Sequence, residues 1–428
     1  MRRSMRADRV GHKAQSGWPV WLFAAGLLLI AAPVAQAEDT GLGATVDGLL
    51  AEATRLSPEI AARALDAAAA EAGVRVARSL PDPILRVTRD EIDVPHGPRR
   101  PKQIYAIEQE FPLWGKLGLK AAAGRAQADV VRAEGRMVES ELAEQVKITF
   151  AQYWAAHRAG AVMREVYGIE RGIIDTARSR YAQGRGTQAD VLRAAAALTR
   201  HETEIARFVA QKRAAQGVLN ALLLRDLASP LADPRQLRPL PPATALIPGE
   251  LIVRANNPRV AAAKSRIAIA DANRQLARRE WYPNVTLSVG AIDRNGYGPN
   301  GYVGSVALRV PLQWGMRDAQ ESQSQAELRA AEIRRDAAAQ DLARALAEAT
   351  AAFAGARETE RLTYDQLLPQ LNAAVRSAVT AYGNGRSELT PVLDAARELS
   401  EAGLSLLAAQ LDAQRQLAVI ERLIGGAL

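Results

Sequence analysis

The sequence predicts a mixed, mainly α-helical fold in which two equivalent halves each carry a long helical hairpin and a pair of strands. Three observations lead there. The chain echoes itself at an offset of about 200 residues: Ser57-Pro58-Glu59-Ile60 returns as Asn257-Pro258-Arg259-Val260, Pro83 as Pro283, Phe111-Pro112-Leu113-Trp114-Gly115 as Val310-Pro311-Leu312-Gln313-Trp314-Gly315, and Tyr181-Ala182-Gln183-Gly184-Arg185 as Tyr382-Gly383-Asn384-Gly385-Arg386. Long stretches hold no proline and step their apolar residues by fours and threes. Short runs ahead of those stretches alternate apolar and polar residues. The echo is far longer than the period of a solenoid, so it marks a duplicated half.

Residues 1–37 read as a secretory signal peptide: a basic start (Arg2, Arg3, Arg6, Arg9, Lys13), an apolar run from Trp18 to Val34, and Ala35-Gln36-Ala37 as the small-x-small cleavage site. The first repeat, 38–228, follows. Its helix from Pro58 to Leu80 precedes strands at about 84–92 and 103–111. In the second of these, Tyr105, Ile107 and Phe111 alternate with Glu108 and Glu110. A helical hairpin spans 116–228, with no proline between Leu113 and Ser229 and a seam of Val162, Val166, Ile169 and Ile173. Thr187 to Asp190 reads as a capping box opening the return helix, which runs on to Ala228.

A connector, 229–249, holds Pro230, Pro234, Pro239, Pro241, Pro242 and Pro248 and reads as an extended belt around the helices. The second repeat, 250–428, has strands at about 284–292 and 301–310 and a hairpin over 316–424. Its seams are Leu342, Leu346, Ala349 and Phe353, then Leu371, Val375, Ala378 and Tyr382. Thr390 followed by Pro391 reads as an N-cap with proline at the first helical position. Lys116–Ala182 and Met316–Tyr382 are each 67 residues, roughly 100 Å of helix. Each could lie beside two shorter helices stacked end to end, which predicts a helical tube. Each strand run is near the length of a tilted membrane strand. Four strands cannot close a barrel and open edges are not tolerated in lipid, so strands in a membrane require several copies of the chain.

Composition excludes other classes. With the signal removed, 50 basic residues face 46 acidic ones; a balance of +4, evenly interspersed, argues against nucleic acid. The absence of cysteine excludes disulfides, thiolate metal sites and an acylated N-terminal cysteine, so no lipid anchor is expected. His96, His157 and His201 are not at ligand spacing, and neither a metal site nor a cofactor is expected. No nucleophile elbow, phosphate loop or paired-acid motif stands out, so there are no catalytic residues and the chain is not read as an enzyme. A soluble periplasmic coiled-coil scaffold would explain the helices but not the strands or the Trp-Gly junctions.

The duplication, the strand pairs ending in Phe111-Pro112 and Val310-Pro311, and the paired motifs Tyr181–Leu192 and Tyr382–Leu393 resemble outer-membrane factors of the TolC type. The segments Pro81-Asp82-Pro83 and Phe111–Leu117 look most like members serving heavy-metal cation exporters. The resemblance implies a homotrimer whose four strands per chain make a twelve-stranded β-barrel in the outer membrane, continuous with a periplasmic α-helical coiled-coil barrel. It implies a periplasmic adaptor protein and an inner-membrane RND-type pump as partners, and passive conduction from periplasm to exterior. Channels for drugs, solvents or type I protein secretion share the same duct.

The resemblance also assigns candidate residues. Gly184, Arg185, Gly385 and Arg386 fall at the hairpin tips, which would dock the adaptor. Asp190, Tyr382 and Asp394 fall at the periplasmic entrance, where one Asp394 per chain would form a cation-favouring ring. The TolC type closes that entrance by a hydrogen bond at the positions of Tyr382 and Asp190. This sequence departs from it at Pro391 and Ser387, so its closing network is expected to differ. Pro369, with Gly168 as its first-half counterpart, marks an expected hinge. Pro112, Trp114, Pro311 and Trp314 mark the barrel–helix junction, where an aromatic girdle belongs.

Overall fold

The computed structural model describes residues 41–90, 102–296 and 298–428. The signal segment, the loop 93–101 with His96, and the end of the first strand run (91–92) lie outside the described residues. The element order is α1 (Val46–Leu56), α2 (Pro58–Arg78), β1 (Ile84–Asp90), β2 (Lys102–Phe111), α3 (Lys116–Ala182), α4 (Gln188–Leu222), α5 (Pro248–Arg254), α6 (Pro258–Arg279), β3 (Asn284–Asp293), β4 (Gly301–Arg309), α7 (Trp314–Leu362), α8 (Leu368–Gly383) and α9 (Leu389–Ile424). A π-helical turn, Thr363–Leu367, joins α7 to α8. Two short helices, two strands, a long helix and a return helix thus occur in the same order on either side of residue 243.

The four strands form one antiparallel meander, β1-β2-β3-β4. Its middle pairing joins the halves, with Ile107 opposite Val289 and Phe111 opposite Val285. Helix α3 is the central pillar. It packs against α2 along one stretch and α4 along another, and against α6 and α9 from the second half. Short side chains permit the close approaches: Val130 and Ala133 meet Ala262, and Gly403 of α9 faces Val162 where a β-carbon would come within 2.8 Å. Helix α7 repeats the pattern against α6 and then α9. There Leu342, Leu346, Ala349 and Phe353 meet Ala413, Leu417 and Ile420 in a dry seam. Among the described residues no helix is long and apolar enough to cross a membrane.

Three expectations need correction. The return helix of the first half ends at Leu222, not Ala228. Leu224 turns left-handed (φ 53°), and the chain doubles back so that Asn220 Nδ2 donates to the carbonyls of Leu227 and Ser229 at 3.1 and 2.8 Å. Buried side-chain amides replace the helix as partners for those carbonyls, and no proline is needed to stop it. The second long helix is not one α-helix, because the π-turn interrupts it just before Pro369. Finally, α9 starts at Leu389 with Glu388 as N-cap, so Pro391 is its third residue and Thr390 its second. The N–H groups of a first helical turn lack intrahelical acceptors, so proline fits there as well as at the first position.

Helix α1 was not foreseen. Its buried residues Val46, Leu49 and Ala53 pack on Val146, Phe150 and Tyr153 of α3. The connector is irregular from Ser229 to Pro242, contains a 3-10 turn at Ala243–Ala245, and enters α5 at Pro248.

Candidate functional site

The sheet separates two chemistries by register. Leu85 and Val87 on β1, Tyr105 and Ile107 on β2, Leu287 and Val289 on β3, and Tyr302, Val306 and Leu308 on β4 share one face. All nine side chains are exposed, Tyr302 to 91%. The opposite face carries ion pairs: Arg86 Nη2 donates to Glu108 Oε2 at 2.9 Å, Lys102 lies 2.9 Å from Asp90, and Arg309 is 3.8 Å from Glu110. Nine exposed apolar side chains on one face are unfavourable in water and suit a hydrocarbon surrounding.

At the foot of the sheet, Pro112 and Pro311 end the strands. Trp114 adopts a positive φ of 63°, its indole N–H donates to the Pro283 carbonyl at 3.0 Å, and its ring tilts onto Tyr282 at 5.2 Å. Trp314 is 67% exposed and opens α7. Lys116, only 2% exposed, is the pin of this junction. Its ammonium donates to the Tyr282 carbonyl (2.9 Å) and Asn284 Oδ1 (2.7 Å) and reaches Glu280 at 3.4 Å, tying the start of α3 to the α6–β3 link.

The hairpin tips at the far end are built alike. Gly184 (φ 71°) and Gly385 (φ 73°) each take the left-handed position that ends a helix. Arg185 N–H donates back to the Arg180 carbonyl and Arg386 N–H to the Ala381 carbonyl, both at 2.8 Å. After the first tip the expected capping box is present: Asp190 N–H donates to Thr187 Oγ1 and Thr187 N–H to Asp190 Oδ2, each at 3.2 Å. The arginines expected at the tips, Arg185 and Arg386, are both exposed.

Between the tips lies a small core of Ile173, Ile174, Ala177 and Ala194 from the first hairpin with Tyr382, Leu389 and Val392 from the second. Tyr382 is 3% exposed, and its hydroxyl has no hydrogen-bond partner among the described residues. Burial pushes its phenol above the ordinary value; the Arg180 charge opposes that rise and the Asp190 charge adds to it. Arg180 was not singled out from sequence. Its guanidinium lies 4.5 Å from the centre of the Tyr382 ring, donates to the Tyr382 carbonyl, and donates to the Arg185 carbonyl at 3.3 Å.

Asp394 sits one helical turn along α9, half exposed, 3.5 Å from Arg397. It faces a groove of about 700 Å³ floored by Met163 and Glu170 and walled by α4 and α9. In that floor His201 Nδ1 lies 2.8 Å from Glu170 Oε2, with both side chains buried. The Glu170 carboxylate raises the affinity of His201 for a proton despite burial. Among the described residues no three His, Cys, Asp or Glu side chains converge as metal ligands. A second buried carboxylate, Glu421, accepts from Lys147 and from Arg238 of the connector, each at 2.8 Å.

An antiparallel four-stranded sheet with one apolar face, set on paired helical hairpins, is a fold shared with solved outer-membrane channels. The protein superposes on the outer-membrane channel OprN with a TM-score of 0.77 at 20% identity, over 89% of this chain and 90% of that one. On the outer membrane protein VceC of Vibrio cholerae the TM-score is 0.77 at 18% identity, over 89% and 96% of the two chains. Residues 252–426 match the outer membrane efflux protein family. Over 385 residues, 88% of each chain, the sequence is 25% identical to the cobalt-zinc-cadmium resistance protein CzcC of Cupriavidus metallidurans. The fold is thus similar to that of TolC-like outer-membrane channels, and the second half of the chain carries the match to the outer membrane efflux protein family.

Proposed function

We propose that the protein is the outer-membrane exit duct of a tripartite efflux system, passively conducting heavy-metal cations from periplasm to exterior. The observation that carries the duct reading is the sheet: its outward face is apolar, yet its edge strands β1 and β4 each leave a row of backbone groups to pair. In lipid those edges must be closed, and further copies of the same chain can close them edge to edge. Three copies would give twelve strands, with the duplicated halves alternating around barrel and tube. Arg86, Glu108, Glu110 and Arg309 would then line water while Tyr302, Val306 and Leu308 meet lipid. Trp114 and Trp314 would sit at the membrane boundary, and the hairpin tips in the periplasm.

In this reading Gly184, Arg185, Gly385 and Arg386 meet a periplasmic adaptor, behind which stands an inner-membrane RND-type pump. Asp190, Tyr382 and Asp394 surround the entrance, and Pro369 with its π-turn is the hinge of the second hairpin. Cobalt, zinc and cadmium as cargo are supported by the named resistance of CzcC. Growth of a deletion strain across graded cobalt, zinc, cadmium, copper and silver salts, alongside dyes, detergents and antibiotics, tests the cargo. Selective metal sensitivity is expected. Sensitivity to organic compounds alone would overturn the metal cargo and leave the duct.

A further inference from the structure

We propose that Arg180 is the latch that holds the two hairpin tips of one chain together, and that the entrance is closed by its guanidinium and not by a Tyr382 hydroxyl bond. This rests on the duct reading above. Three interactions meet on one side chain. The guanidinium stacks over the Tyr382 ring, a favourable arrangement of a cation on an aromatic face. It donates to the Tyr382 carbonyl, which also accepts from Gly385 N–H at 3.0 Å, at the end of α8 where the helix dipole favours a cation. Its other arm holds the Arg185 carbonyl in its own turn, which fixes the side chain before it reaches across.

The groups that a phenol-based lock would need are differently engaged. Asp190 exchanges two hydrogen bonds with Thr187, and the Tyr382 hydroxyl is buried among apolar neighbours without a partner among the described residues. Removing that hydroxyl therefore breaks none of these contacts, whereas removing the ring takes away the cation–aromatic contact and removing the guanidinium takes away that contact and both carbonyl bonds. Arginine is required by shape: a lysine can place charge over the ring but cannot fork to two carbonyls on different hairpins.

The test uses the full chain reconstituted in planar bilayers. Arg180→Ala is expected to shift the closed–open balance toward open by about ten- to hundredfold, the range of a charge-assisted hydrogen bond. Arg180→Lys should fall between, Tyr382→Leu should open, and Tyr382→Phe should behave as wild type. A channel from Arg180→Ala as closed as wild type would overturn the latch. So would a Tyr382→Phe channel as open as Arg180→Ala, which would return closure to the hydroxyl. If neither wild type nor Arg180→Ala conducts, the duct reading fails and the latch with it. A second readout is independent of conduction. The chain has no cysteine, so Arg178→Cys and Thr380→Cys can carry a spin-label pair across the tips in detergent. Arg180→Ala should lengthen that distance with helical content unchanged; an unmoved distance would overturn the proposal.

Discussion

The two long helices fill matching places in the chain order but are built to different ends. Helix α3 runs unbroken for 67 residues and buries twenty of them. Its counterpart is split into α7, the π-turn and α8, which bury eight, one and two. At Gly168 the first helix carries a poor helix former yet continues without interruption, with Val166 and Glu170 buried on either side of it. At the matching level the second helix carries Pro369 and an extra residue in its turn. Large side chains at that turn, Leu362, Tyr364 and Leu367, stay exposed. A helix held on several sides can absorb a glycine, while one held on a single side yields at a proline. One half thus holds the densely packed pillar, and the other an interrupted and more exposed helix.

The largest expected effect breaks the pillar's hold on α9. Glu421 is 5% exposed and joined to Lys147 of α3 and Arg238 of the connector. Glu421→Ala would strand two nearly buried cations and should cost about 3–5 kcal/mol, read as a drop in thermal midpoint. The same site sets an acid dependence. Burial alone would raise the Glu421 carboxyl, but the hydrogen bonds and charges of Lys147 and Arg238 outweigh it and hold the group below its ordinary value. A depressed carboxyl stabilises the fold above its unfolded value and loses that contribution as pH falls through the folded one. Stability of wild type should therefore decline below about pH 4, more steeply than that of Glu421→Gln.

The asymmetry between the long helices can be edited out. A π-turn holds one residue more than an α-turn, so deleting Gln366 should restore the α period while keeping later residues on their faces. With proline retained, the deletion places Pro369 in a helix interior and should cost about 3 kcal/mol. Deletion combined with Pro369→Ala should recover most of that loss and yield a second half as stiff as the first. If Pro369 is the hinge, the double variant remains closed when adaptor is added. Normal opening of that variant would remove the hinge.

What the sequence made legible was whatever is written locally. Period-two runs marked the strands to within two residues at each described end. Tyr-x-x-Gly marked both tips, because a left-handed residue after a helix is a short-range demand. Residues that act at a distance were not legible. Arg180 looked like any surface arginine near a helix end, and Lys116 like a first-turn lysine, until folding placed each against the other half. One signal was available for Glu421: it falls beside Leu417, Ile420 and Leu423 in the buried stripe of α9, and a charge there implies a partner. The end of α4 and the start of α9 were misplaced because each depends on tertiary packing or on proline's tolerance anywhere in a first turn.

The ends of the return helices give the two smaller predictions, and they point in opposite directions. Both helices stop at a left-handed residue, Leu224 (φ 53°) after α4 and Gly425 (φ 76°) after α9. At Gly425 a β-carbon would come 2.5 Å from the Asn256 carbonyl oxygen. Gly425→Ala therefore adds a clash to the backbone cost and should destabilise by about 2 kcal/mol. At Leu224 the β-carbon is already present, and the side chain is 61% exposed, so little packing would be lost by trimming it. Leu224→Gly should relieve the left-handed strain, worth about 1 kcal/mol, against a smaller loss from the more flexible unfolded chain. A modest rise in thermal midpoint is the expected outcome. A fall would mean that Leu224 is covered in the assembled protein, as an apolar residue beside the connector would be if a neighbouring copy packed against it. The sign of this one small change therefore reports on the assembly as well as on the turn.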